Sequence, residues 1–206
     1  MSDELLADGA TDEQLLARIA ARDATALSVL FRRRQPDVYR VAMLMTGSAA
    51  AAEDVTQDVF LAVMHDASRF ESGRASVTAW LCGIARNHAR RRLDCDRRMR
   101  PLPDQSEPLP GEAAIEADPL REMSNAEQIE RLRRAVLTLP VRYREAVVLC
   151  DLQELSYADA ATALECSIGT VRSRLHRGRQ LLTAKMHAHD EAQAVTAAKR
   201  ISRCLA

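Results

Sequence analysis

The chain has 206 residues, 29 basic and 29 acidic side chains, and only 3% aromatic residues. That length allows one or two domains. With no signal peptide and no apolar run of about 18 residues, neither export nor membrane insertion is expected, which places the chain in the cytoplasm. Its five cysteines (Cys82, Cys95, Cys150, Cys166 and Cys204) follow no C-x-x-C or zinc-like spacing, so they read as thiols in a reducing compartment, with Cys95 beside the arginines the candidate redox sensor.

Taken in chain order, the reading is helix throughout, with no strand-like alternation. Thr11 and Gln14 form a capping-box pattern ahead of Leu15, Leu16 and Ile19. Pro36 suits the first turn of a helix carrying Val38, Val41, Ala42 and Met45, and Gly47-Ser48 ends it. A helix then spans about 50–67. On it Asp54, Gln57 and Asp58 project close together, while Val55, Val59, Ala62 and Val63 offer an apolar face. The stretch from Phe70 to Ser76 reads as a loop, and a helix follows over 77–98. Trp80 is read as core, the usual place of a lone helical tryptophan.

The zero net charge hides segregation. Positions 86–100 carry seven arginines against Asp94 and Asp96, a local charge of +5; positions 101–120 carry five acids and no base, a local charge of −5. Such local fields matter to a nucleic acid more than the total, because screening acts within about 8 Å. Pro101, Pro103, Pro108, Pro110 and Pro119, with Gly111, break any helix over 101–123, so this acidic stretch is a flexible linker. A second domain begins at Ser124, capped with Glu127, and its stripe is Ile129, Leu132, Val136 and Leu139.

Near the C-terminus two short helices flank the turn Glu165-Cys166-Ser167. Ser156 caps the first, with Asp159 completing a capping-box pattern; Tyr157, Ala161 and Leu164 share one of its faces. Ser167 caps the second. There Ile168, Val171, Leu175, Gly178 and Leu182 should face inward, Gly178 allowing close helix approach, and Arg172, Ser173, His176 and Arg177 should face outward. No acid occurs from Ile168 to Met186. Arginine grips guanine O6 and N7 with two hydrogen bonds, while Arg174, Arg179 and Lys185 suit phosphates.

The run Ile168-Gly169-Thr170-Val171-Arg172-Ser173-Arg174-Leu175-His176-Arg177 resembles the promoter-reading helix of extracytoplasmic-function sigma factors. Leu139-Pro140-Val141-Arg142-Tyr143-Arg144-Glu145-Ala146 resembles the family's Leu-Pro entry into the preceding helix. In the N-terminal half, Ala52-Glu53-Asp54-Val55-Thr56-Gln57-Asp58-Val59-Phe60 resembles the family's polymerase-gripping helix, and Thr78-Ala79-Trp80-Leu81-Cys82-Gly83-Ile84-Ala85-Arg86-Asn87 its promoter-melting segment. The resemblance implies an all-α fold with a polymerase- and −10-binding domain over 1–100, the linker over 101–123, a −35-binding helix-turn-helix domain over 124–186 and a tail over 187–206. It assigns Thr170, Arg172, Ser173, Arg174, His176 and Arg177 to the −35 element. Phe70, Ser72 and Arg74 of the loop, with Arg86, Asn87, Arg90 and Arg91, go to the −10 element. Asp54, Gln57 and Asp58 go to RNA polymerase core. Arg91 stands where the family often has aspartate, which leaves the −10 sequence open. The implied partners are core polymerase, promoter DNA and an anti-sigma protein.

Two rivals compete: a helix-turn-helix regulator that never joins polymerase, and a sigma-like module that sequesters an anti-sigma protein. The paired N-terminal motifs oppose the first, and the basic outer face opposes the second. An enzyme is not expected, since no glycine-rich phosphate loop, metal cluster or nucleophile–base set emerges. Neither a cofactor nor a metal is implied.

Overall fold

The computed structural model describes residues 9–99 and 125–204. Among these, regular structure is helical and no strand occurs. The linker expectation and the Ser124 cap lie outside the described residues.

Helix α1 (Asp12–Ala20) starts on the capping box expected from sequence: the Thr11 hydroxyl accepts from Gln14 N–H, and the Gln14 side chain accepts from Thr11 N–H. Its Leu15, Leu16 and Ile19 are buried.

Helix α2 (Ala24–Thr46) corrects the reading of Pro36. The proline does not open a helix; it sits well inside one that Asp23 caps through Thr25 and Ala26 N–H. An interior proline leaves the bond to position 32 unmade and strains the preceding turn, at a cost of about 3 kcal/mol. The inner stripe offsets this, running through Ala26, Val29 and Leu30 to Val38, Val41, Ala42 and Met45. Arg33 and Arg34 interrupt its hydrophobic pattern, which conceals the continuity in the sequence. Both bond to Asp12 of α1, Arg34 with Nε at 2.5 Å and Arg33 with Nη1 at 3.2 Å. Gly47 ends α2 at φ 75°, a left-handed conformation that glycine takes without steric cost.

Ser48 caps α3 (Ala49–Asp66), and a short 3-10 turn (Ala67–Arg69) leads into the loop. There Arg74 N–H bonds to the Glu71 carbonyl across a turn whose third residue, Gly73, has φ 87°. Helix α4 (Val77–Met99) packs against α2 and α3 through Ala79, Leu81, Cys82, Ala85 and Ala89.

The C-terminal helices are α5 (Asn125–Leu137), α6 (Val141–Val147), α7 (Tyr157–Ala163) and α8 (Ile168–Cys204). A π-helical turn, Val148–Leu152, extends α6. The α8 backbone runs unbroken past Met186, where a tail was expected to begin, and Arg131 Nη2 of α5 donates to the Met186 carbonyl at 2.9 Å.

The two halves share one hydrophobic cluster. Arg144 of α6 donates to the Met45 carbonyl at the end of α2 (2.6 Å) and to the Leu137 and Leu139 carbonyls at the end of α5. One guanidinium thus ties together chain ends from both halves.

Candidate nucleic-acid and polymerase interfaces

The helix-turn-helix forms where the sequence places it. Leu164 ends α7, Glu165 takes φ 52°, Glu165 N–H bonds to the Thr162 carbonyl and Cys166 N–H to that of Ala161. This is a Schellman closure with glutamate in the position glycine usually fills. The Ser167 hydroxyl accepts from Thr170 N–H and starts α8. On the inner side of α8, Val171 and Leu175 are buried. A Cβ added at Gly178 would lie 2.8 Å from Val147 Cγ2 and 3.2 Å from the Tyr143 carbonyl oxygen, so the close approach read from the sequence is present. The stripe is narrower than expected, because Ile168 is exposed.

On the outer side, Arg172, Ser173, His176 and Arg177 are all exposed, and Thr170 and Arg174 are half-buried. His176 and Arg177 both touch the Gln180 side chain, at 3.0 and 3.1 Å. The Arg172 guanidinium lies 5.7 Å from the Tyr157 ring centroid. Tyr157 was expected on the face it shares with Ala161 and Leu164, which are buried; it is itself exposed beneath that arginine. Arg179, a sequence candidate for phosphate, instead forms a two-pronged pair with Asp151, its Nη2 at 2.5 Å and its Nε at 3.0 Å. Hydrogen bonding to this carboxylate raises the Arg179 pKa. The π turn carries Asp151, which no helical periodicity anticipates.

The N-terminal candidates divide into two groups. Phe70 is half-buried and meets Trp80 edge-on, with centroids 5.6 Å apart. Ser72 donates to Glu13 and Arg74 to Glu71 on an exposed loop surface. Trp80 is half-buried against the core. On α4 the sequence candidates Arg86, Asn87 and Arg90 face the C-terminal half. Arg86 is buried, and its Nε donates to Glu145 Oε1 at 2.8 Å. Arg90 lies 3.7 Å from the same oxygen, and Asn87 Nδ2 is 3.5 Å from Glu165 Oε1. Arg91 is exposed.

Asp54, Gln57 and Asp58 are exposed on one face of α3. The apolar face expected beside them is core instead: Val55, Val59 and Val63 are fully buried. Leu61 supplies the apolar surface there, 54% exposed, with Met64 beside it. Leu61 follows Gln57 by four residues and Asp54 by seven, so helical spacing alone would have placed it on the acidic face. Arg92 reaches Asp54 and His88 reaches Asp58, each at 3.3 Å, tying this face to α4.

Glu145 is the functional-site residue that the sequence reading missed. It sits in a stretch read only as the entry to the helix-turn-helix, and nothing local marks its carboxylate as the partner of an arginine 59 residues away. Among the described residues, no group of histidine, cysteine or acidic side chains is arranged to hold a metal, and no helix is long and apolar enough to cross a membrane.

Comparisons with known proteins converge. Residues 30–99 match the Sigma-70 region 2 family model, and residues 129–182 match Sigma-70, region 4. The chain is 36% identical over 180 residues to the ECF RNA polymerase sigma factor SigE of Mycolicibacterium smegmatis, covering 82% of this chain and 64% of that protein. It is 32% identical over 185 residues to the ECF RNA polymerase sigma factor SigC of Mycobacterium tuberculosis, covering 88% of this chain and 96% of the relative. Among solved structures, the complex of the sigma factor RpoE with the anti-sigma factor NepR from Bartonella quintana superposes with a TM-score of 0.60 at 25% identity, covering 76% of this chain and 94% of the other. With both halves matched in order and the SigC relative aligned over nearly its whole length, this chain belongs to the ECF RNA polymerase sigma factors.

Proposed function

We propose that this protein joins RNA polymerase core, directs it to a set of promoters and starts transcription there. The observation that carries the reading is the two-sided character of α8. Its inner side is buried through Val171 and Leu175, which leaves Arg172, Ser173, His176 and Arg177 exposed together on the outer side. A helix held this way enters a major groove, and each bidentate arginine–guanine contact is worth about 1–3 kcal/mol of base discrimination. Arg174, with Thr170 at the helix start, fixes the register on phosphates.

In this reading the N-terminal half, residues 1–100, does the rest. Asp54, Gln57 and Asp58, with Leu61, dock on polymerase: a polar rim around one exposed apolar side chain. Phe70, Ser72 and Arg74 in the loop, with Arg86, Asn87, Arg90 and Arg91 on α4, hold the unpaired −10 strand. Melting needs no catalytic group, because capture of unpaired bases shifts the duplex equilibrium toward the open state. Residues 124–186 form the −35 domain, residues 101–123 tether it, and residues 187–204 continue α8. The protein works in the cytoplasm, as a regulator and not an enzyme, under the control of an anti-sigma protein such as the one bound to its Bartonella relative.

Run-off transcription with purified core polymerase on a library of random promoters tests this. Transcripts that depend on the added chain and share two spaced sequence elements are expected. A chain that binds duplex DNA yet never redirects core would overturn the reading in favour of a polymerase-independent regulator.

A further inference from the structure

On the outer face of α8, two of the base-reading candidates share a third side chain to which the sequence reading gave no role. Gln180 lies four residues after His176 and three after Arg177, so one helical turn brings it beside both. Its Oε1 accepts from Arg177 Nη1 at 3.1 Å, and its Nε2 lies 3.0 Å from His176 Nε2. All three side chains are exposed. The chemistry of the groups fixes the direction of both bonds. A guanidinium carries donors and no acceptor, so the amide oxygen must face Arg177. The amide NH2 group then faces His176, and it can only donate. His176 Nε2 is therefore the bare, accepting nitrogen of a neutral ring whose proton sits on Nδ1. Turning the amide over would set two donors against each other at Arg177. Other elements do not compete for the amide's partners. Asp151 of the π turn takes Arg179, and Tyr157 of α7 lies beneath Arg172.

We infer that Gln180 is a positioning residue for −35 reading: its amide sets the His176 ring as an Nδ1–H donor and holds the Arg177 fork, so that both side chains meet the groove in one fixed pattern. The ring then offers a base edge one donor and no acceptor. Such a ring suits guanine O6 and N7, adenine N7 or thymine O4, and rejects the amino group of cytosine. Arg177 keeps further N–H donors, enough to grip guanine O6 and N7. Without Gln180 the ring can carry its proton on either nitrogen, and the Nε2–H form accepts through Nδ1, so that it tolerates the cytosine amino group. Gln180 is neutral and adds nothing to phosphate attraction, so it acts on sequence preference and not on general affinity for DNA. The inference rests on the proposed −35 role of α8.

Two measurements on the full-length chain test it. In the free protein at about pH 8, where histidine is neutral, the NMR shifts of the two His176 ring nitrogens report which one carries the proton. The wild type is expected to show a bare Nε2. Gln180→Glu, whose carboxylate only accepts, should move the proton to Nε2, and Gln180→Ala should give a mixture of the two forms. Selection of promoters from a random library by the chain joined to core polymerase then reads sequence preference, with His176→Ala and Arg177→Ala marking the base pair that each side chain reads. At the His176 position, Gln180→Ala should accept cytosine about two- to tenfold more readily than the wild type, the span one hydrogen bond is worth. Its preference at the Arg177 position should fall by a similar factor, while its melting temperature and its affinity for random-sequence duplex stay unchanged. A protonated Nε2 in the wild type, or one selected sequence shared by the wild type and Gln180→Ala, overturns the positioning role. Equal weakening on every sequence with a lower melting temperature overturns it too, since Gln180 would then only stabilise the helix. In each of those cases the wild type still selects promoters and the proposed function stands. If the wild type itself selects no sequence, the −35 role of α8 fails, and the positioning role fails with it.

Discussion

Glu165 is a side chain in a glycine's place. Its φ of 52° costs a non-glycine residue about 1–2 kcal/mol, yet the Schellman closure requires it. Glu165→Gly should therefore raise stability by about 0.5–1 kcal/mol, part of the relief being lost to the freer unfolded chain; a urea titration of both proteins reads this directly. A change of opposite sign would mean that the contact with Asn87 outweighs the strain. Cysteine chemistry is also decided at this scale. Burial, with a smaller push from Asp37, raises the Cys82 thiol to about 12, and burial raises Cys150 to about 11, whereas Cys95 is exposed. A raised thiol pKa favours the neutral form in the fold. The stability it contributes is complete below the ordinary value of 9.0 and is lost as pH rises from there toward 12. Iodoacetamide at pH 8 should accordingly label Cys95 within minutes and Cys82 only after unfolding. Mass spectrometry of the labelled chain checks the order, and early labelling of Cys82 would contradict its burial.

Among the elements, α2 and α8 show how packing overrules local signals. A proline inside α2 argues for a break, but the stripe on either side is continuous and Asp12 satisfies the arginines that interrupt it. In α8 a single glycine sets the distance to α6. Gly178→Leu would gain helix propensity and lose far more, because the site lies against Val147 and the Tyr143 carbonyl. Overpacking of this kind costs about 1–3 kcal/mol. The variant should melt at lower temperature and lose −35 binding, although position 178 lies on the side of α8 away from DNA. Unchanged melting and binding would show that the helix-turn-helix tolerates separation of the two helices.

Over the whole molecule, the proposed surfaces are separable because they lie on different helices. Arg177→Ala should weaken −35-dependent transcription by about 1–3 kcal/mol, and leave affinity for core polymerase intact. Asp54→Ala with Asp58→Ala, or Leu61→Asp alone, should weaken core binding and spare −35 duplex affinity. A fluorescence-anisotropy titration for each partner separates the cases, and equal loss of both activities in any one variant would mean that its fold had been damaged. Loss of Glu145 is a different matter. Removing one partner of a buried ion pair leaves the other charge buried alone, at a cost of about 3–5 kcal/mol.

The sequence by itself determined the all-helical class, the caps at Thr11, Ser156 and Ser167, and which side of α8 faces outward. Thr11, Ser156 and Ser167 each act on an N–H group three residues away, and Val171, Leu175 and Gly178 follow the period of a single helix. These are local relations, written in the spacing of neighbouring residues. Tertiary structure alone decided that Pro36 lies inside a helix, that Arg179 pairs with Asp151, and that Arg86 is buried on Glu145. Each of those outcomes depends on groups brought together from distant parts of the chain. The pairing of two charges 59 residues apart follows from how the helices pack, because no local pattern distinguishes an arginine facing water from one that another helix will cover.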